Sequence, residues 1–123
     1  MMKGNNFKNQ EENSCPIEHA INLVSGKWKM RILYALVKES PKRFKVLERE
    51  VSGITPTMLT SQLRELEKDG MVSREVFATV PPTVEYSMTD LGRTIEPMIR
   101  EIKKWGLFHQ SYTKDQVSPE STD

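Results

Sequence analysis

Cysteine is nearly absent: Cys15 is the single one in 123 residues. One thiol cannot build an intrachain disulfide framework, so the chain suits a reducing compartment. One cysteine with two histidines, His19 and His109, cannot close a zinc site either, so no metal and no other cofactor is expected. Long apolar runs are missing too. The longest, Met30 to Val37, is interrupted by Arg31 and falls far short of the roughly 20 residues that span a bilayer. The opening MMKGNNFKNQEEN has no apolar h-region, so no secretory signal and a cytoplasmic location are expected. There is no Gly-rich phosphate loop, nucleophile elbow, metal-ligand run or spaced carboxylate pair with a role, so an enzyme is not expected.

A surplus of one charge is lacking as well, since 18 Lys+Arg face 17 Asp+Glu for a net +1. The distribution is uneven, however. Between Val24 and Arg49 stand Lys27, Lys29, Arg31, Lys38, Lys42, Arg43, Lys45 and Arg49 against Glu39 and Glu48, a local surplus of six. Acids gather near the ends, at Glu11, Glu12, Glu18, Asp115, Glu120 and Asp123. Screening limits each charge to a reach of about 8–10 Å, so a basic stretch attracts phosphate whatever the total.

Residues 1–13 and 114–123 lack hydrophobic periodicity and are expected to be flexible tails around one domain over 14–113. A first helix starts at Cys15-Pro16 and carries Ile17, Ala20, Ile21 and Val24 at helical spacing. Ser25-Gly26 breaks it and offers a new N-cap. A second helix runs through Trp28, Ile32, Leu33, Leu36 and Val37 until Pro41 stops it. A short third, about Arg43–Val51, would bury Phe44, Leu47 and Val51 before Ser52-Gly53.

The strongest punctuation follows, in ITPTMLTSQLRELEKDG. Thr55 is an N-cap with Pro56 at the first helical position, and Gly70 a C-terminal stop. Leu59, Leu63 and Leu66 form one stripe; Thr57, Ser61, Arg64 and Lys68 lie opposite, with Thr60 beside them. After Gly70 the period changes. MVSREVFA and TVEYSM read as strands, and Pro81-Pro82 suits a hairpin tip between them. Thr89-Asp90 caps a last helix whose Leu91, Ile95, Met98, Ile102 and Trp105 make a heptad seam, widened by Ile99. Pro97 lies inside it and should kink or restart the helix.

A short helix, a Gly-containing turn and a well-capped helix make a helix-turn-helix, and the hairpin makes it winged. Such a helix fits the major groove and presents its outer face to base edges. Thr57, Thr60, Ser61 and Arg64 are the candidate base readers; Lys42, Arg43, Lys45, Lys68 and Arg74 are the candidate phosphate contacts. The competing reading is a solvated helix face, or a winged-helix module that binds protein.

CPIEHAINLVSGKWKMRILYAL, KRFKVLEREVSGITPTMLTSQLRELEKDGMVSREV, VPPTVEYSMTDLGR and KKWG together resemble the HxlR family of bacterial winged helix-turn-helix transcriptional regulators, over about Cys15–Trp105. The resemblance implies an α+β, mainly helical fold, a winged helix-turn-helix with extra N- and C-terminal helices that form a dimer interface. It implies a homodimeric regulator of double-stranded DNA, and a repressor of nearby genes is the expectation.

The residues point the same way. Trp28, Ile32, Leu36, Leu47, Leu59, Leu63, Tyr86 and Met88 suffice for a core, which frees the Leu91–Trp105 seam for a second copy, although it could pack within its own subunit. Two copies would read half-sites about 34 Å apart on a near-palindromic operator. At a helix start, unpaired N–H groups favour a Cys15 thiolate, able to react with peroxides, aldehydes or quinones, and His19 lies one turn on. Some members of the resembled family use a cysteine here as a redox or electrophile sensor; the alternative is an inert, partly buried thiol. A small-molecule effector in place of redox sensing stays open. His19 and His109 read as surface or packing residues, Trp28 and Trp105 as packing anchors.

Overall fold

The computed structural model describes residues 15–121. In chain order these form α1 (Pro16–Val24), α2 (Lys29–Lys38), β1 (Lys42–Arg43), α3 (Phe44–Glu50), α4 (Pro56–Lys68), β2 (Val72–Phe77), β3 (Thr83–Met88), α5 (Asp90–Arg93) and α6 (Glu96–Ser121). Helices α2, α3 and α4 surround an aliphatic centre, and a small antiparallel sheet closes one side. Ile32, Leu33, Leu36, Leu47, Leu59, Leu63 and Leu66 are buried there. Tyr86 and Met88 enter from β3, and Trp28 packs half-buried at the margin. Each buried aliphatic side chain contributes about 1.5–3 kcal/mol, so this cluster holds the fold.

The sheet has three strands, in the order β1-β3-β2, where the hairpin alone would give two. Lys42 pairs with Tyr86 and Arg43 with Glu85, while Arg74 faces Tyr86 from the other side. The segment expected to open the third helix is thus a strand, and α3 begins one residue late, at Phe44. At the start of α2 the N-cap position belongs to Trp28, not to Ser25.

The last helix is two. Short α5 is capped by Thr89, whose Oγ1 accepts from Gly92 N–H at 2.9 Å and donates to the Gly70 carbonyl. The chain restarts at Glu96, with Pro97 in the first turn, where its missing N–H removes no helical bond. This break cuts the expected seam. Ile95 turns half-buried onto its own core, Ile99 is buried there, and Leu91 lies on α5 beside Gly70. Helix α6 then runs on to Ser121, so 114–121 is helix where a tail was expected. Once nucleated, a helix extends through polar residues because each addition fixes one residue and gains one bond. The tail expected over 1–13 lies outside the described residues.

Candidate nucleic-acid interface

Helix α4 is positioned by both of its ends. Thr55 Oγ1 accepts from Met58 N–H at 3.1 Å, closing one of the free donors of the first turn behind Pro56. Two turns that need a left-handed residue flank it: Gly53 has φ 92° in the α3–α4 turn, and Gly70 has φ 80° at the exit. Arg31 of α2 donates to the Ser52 carbonyl at 2.9 Å and holds the α3–α4 turn against the scaffold. Lys29 reaches Glu65 at 2.5 Å from the same helix.

Thr57, Ser61, Arg64 and Lys68 are exposed on the outer face of α4, and Thr60 is half-buried beside them. The inner face is closed by Leu59, Leu63 and Leu66. The outer face therefore offers hydroxyls at its N-terminal end and the cations Arg64 and Lys68 further along. Between α4 and the hairpin lies a cleft of about 390 Å³, where Thr60, Arg64 and Glu67 meet Arg74 and Tyr86. Arg64 and Arg74 thus share one hollow, which Glu67 of α4 also lines. Met58, exposed on the same helix and bonded by Gln62 Nε2 at 3.8 Å, was not among the expected readers; its thioether gives no sequence signal for that role.

The basic stretch does not form one surface. Lys42 is buried and its ammonium is paired with Glu50, so it is removed from the phosphate candidates. The cause is β1: pairing with β3 turns this side chain inward, where it needs a carboxylate. The Lys42 hydrogen bond in turn holds the Glu50 carboxyl below the usual carboxylate range, against a smaller opposing effect of desolvation. Lys29 is buried as well. Lys27 and Arg31 lie over the Trp28 ring at 4.8 and 5.1 Å, a cation–ring contact on each. Lys45 and Arg43 remain exposed near the start of α3, with Arg43 4.0 Å from Glu85.

Cys15 occupies the N-cap position of α1 and is exposed, not partly buried. Backbone N–H groups of Glu18 and then Ile17 hold its thiol below the ordinary range. His19 is exposed one turn on, and the His109 ring lies tilted against Trp105 on α6, 5.2 Å between centroids. Trp105, expected as a packing anchor, is 63% exposed in the single chain. Met98 and Ile102 are exposed on the same stripe, as are Ile17 and Ile21 on α1. Among the described residues no helix is long and apolar enough to cross a membrane, and no group of three metal-type ligands occurs.

The HxlR-like helix-turn-helix family model matches residues 23–114. The HTH-type transcriptional regulator YybR of Bacillus subtilis (strain 168) is 47% identical over 104 residues, which are 85% of this chain and 81% of that one. Among solved structures, the redox regulator HypR in its reduced form superposes with a TM-score of 0.77 at 44% identity, covering 82% of this chain and 99% of that one. Its oxidized form gives 0.70 at 49% identity, covering 75% and 94%.

Proposed function

The chain belongs to the HxlR-like helix-turn-helix family of transcriptional regulators, and from that premise we propose that it is a homodimeric, sequence-specific DNA-binding repressor of nearby genes. The observation that carries this is the outer face of α4: Thr57, Ser61 and Arg64 are free of their own subunit while the helix beneath is fixed by a cap, a buried leucine stripe and Lys29. In this reading Thr57, Thr60, Ser61 and Arg64 contact bases, and Arg43, Lys45, Lys68 and Arg74 contact phosphates. A protein-binding module, which would be expected to carry an acidic or apolar outer face on Thr57–Lys68, is less well supported, because the face offers mainly hydroxyls and cations.

The second copy is supported by apolar side chains left uncovered. Met98, Ile102 and Trp105 on α6 and Ile17 and Ile21 on α1 are all large apolar side chains left exposed, and exposed apolar side chains grouped on a helix face mark association surfaces. Ile95 contributes less, being packed against its own core, whereas Leu91 is exposed but lies on the separate short helix α5. The deciding experiment joins a duplex shift with sedimentation equilibrium. The full chain is expected to bind one dimer per near-palindromic duplex with half-sites about 34 Å apart, and Ile102→Glu to give monomers that bind weakly. A monomer that binds a single half-site as tightly as the pair would overturn the dimer. Equal affinity for random duplex would overturn the sequence reading.

Cys15 supports a redox-responsive form of this regulator. The thiolate attacks a peroxide oxygen, giving a sulfenic acid as the O–O bond breaks and the leaving oxygen takes the proton. A second Cys15 thiol, from the partner chain, then displaces water to form an intersubunit disulfide. The exposed thiol at the N-terminus of α1 and the similarity to a protein called a redox regulator favour it over a purely ligand-driven response.

A further inference from the structure

Away from the reading face, α2 and the first turns of α6 leave an open groove of about 840 Å³, the size of a small-molecule site. Its charge is lopsided. Lys38, Arg93, Arg100, Lys103 and Lys104 line it against Glu96 and Glu101. Both acids are already engaged, Glu96 by Arg100 at 2.5 Å and Glu101 by Lys104 at 3.0 Å. Lys38, Arg93 and Lys103 have no carboxylate within 4.0 Å among the described residues. Two of them converge on one ring: Lys38 Nζ lies 4.7 Å and Lys103 Nζ 5.4 Å from the Tyr34 centroid. The Lys103 hydrogen bond also holds the Tyr34 hydroxyl below the usual phenol range, with Lys38 and Arg100 acting in the same sense. Cations gathered in excess of their counter-charges repel one another and favour an anion between them. The rest of the wall is apolar, formed by Val37, Pro97 and Leu107 over buried Ile99.

We propose that this groove binds an organic anion, a carboxylate on an apolar body, with Lys38, Arg93 and Lys103 on the carboxylate and Val37, Leu107 and the Tyr34 ring on the body. Inorganic phosphate would satisfy the cations and leave the apolar wall bare; a neutral hydrocarbon would do the reverse. The site stands on its own geometry, but its use as an effector site rests on the regulator reading above. Lys103 is adjacent to Ile102 on α6, so an occupant drawing Lys103 inward bears on how the exposed stripe seats against a second copy.

The test is a calorimetric titration of the full chain, without DNA, using 1-naphthoate, octanoate, 1-naphthamide and inorganic phosphate. At least one carboxylate is expected to bind saturably and at least tenfold more tightly than the amide or phosphate. Lys38→Gln with Lys103→Gln is expected to weaken that binding at least tenfold, since each lysine supplies a charge-assisted bond. Lys38→Arg with Lys103→Arg is expected to retain it, and both variants to shift the operator duplex as the parent does without ligand. No saturable binding of either carboxylate, equal affinity for the amide, or full binding by the glutamine variant overturns the proposal. Because the titration contains no DNA, its failure is distinct from a failure to shift the duplex, which would overturn the regulator reading instead.

Discussion

The Lys29 ammonium lies 2.5 Å from the Glu65 carboxylate, joining the scaffold helix α2 to the reading helix α4. The lysine side chain is 8% exposed and the acid 53%, so the two ends of this pair are not equivalent. Glu65→Ala strands a cation inside the protein and is expected to destabilise it by about 1–3 kcal/mol. Lys29→Met removes the charge and keeps the volume, and should be close to neutral. Urea unfolding of both variants checks the order; equal losses would mean the pair matters only as a pair.

Gly92 approaches Met71 so closely that a Cβ at this position would overlap the Met71 carbonyl oxygen and stand 3.2 Å from Met88 Cε. Backbone cannot give way as a flexible side chain can. Gly92→Ala is therefore expected to cost about 1–3 kcal/mol or more, by overpacking. Gly106→Ala is the control: nothing lies within 4 Å, and a helix interior favours alanine by about 0.5–1 kcal/mol. Thermal unfolding of the two should move in opposite directions.

For DNA, Arg64→Ala is expected to lose about 1–3 kcal/mol at one base position and relax preference there. Lys45→Ala should weaken cognate and random duplexes alike and flatten the log–log salt slope by about one. Competition binding over a salt series separates them. Equal loss on both duplexes for Arg64→Ala would move that residue to the phosphate group.

Lys42 and Glu50 give a pH signature. The folded Glu50 carboxyl is held below its unfolded value near 4.3, so the unfolded chain binds this proton more readily. The stability from this pair is then complete above the unfolded value and is lost as pH falls through the folded one. Glu50→Gln should remove that part of the acid dependence in urea titrations between pH 6 and 3. Lys42→Met should leave the salt slope of DNA binding unaltered; a slope lower by one would return Lys42 to the phosphate contacts.

Cys15 should alkylate with iodoacetamide at a midpoint below the ordinary thiol value of about 8.5, because the Glu18 and Ile17 N–H groups stabilise the thiolate. Cys15→Ser is expected to bind the operator as before and to lose the response to peroxide. An oxidant response that survives the substitution places the sensor elsewhere.

Much of this molecule could be read before its fold was described. The Thr55-Pro56 start, the Leu59-Leu63-Leu66 stripe and the buried Ile32, Leu36 and Leu47 follow from period and capping, which are local. What stayed hidden is non-local. A two-residue strand has no period, so β1 was invisible, and with it the inward turn of Lys42. A heptad count assumes one continuous helix; the break at Thr94–Ile95 shifts the phase, turns Ile95 onto its own core and leaves Leu91 exposed on a separate short helix. The groove cations lie far apart in sequence, from Lys38 to Lys103, and only folding brings them to Tyr34.

The short β1 strand has a mechanical result. Through it the wing is stitched to the start of α3, while Met71 N–H bonds the Leu66 carbonyl at 2.9 Å where the chain passes from α4 into the hairpin. Wing and reading helix are thereby welded into a single stiff tool whose grip on a half-site has little room to be reshaped. In the proposed homodimer, a chemical signal arriving at α1 or α6 would have to alter the stance of two such tools toward each other, so induction should change the preferred spacing of half-sites before it changes the preferred letters within one.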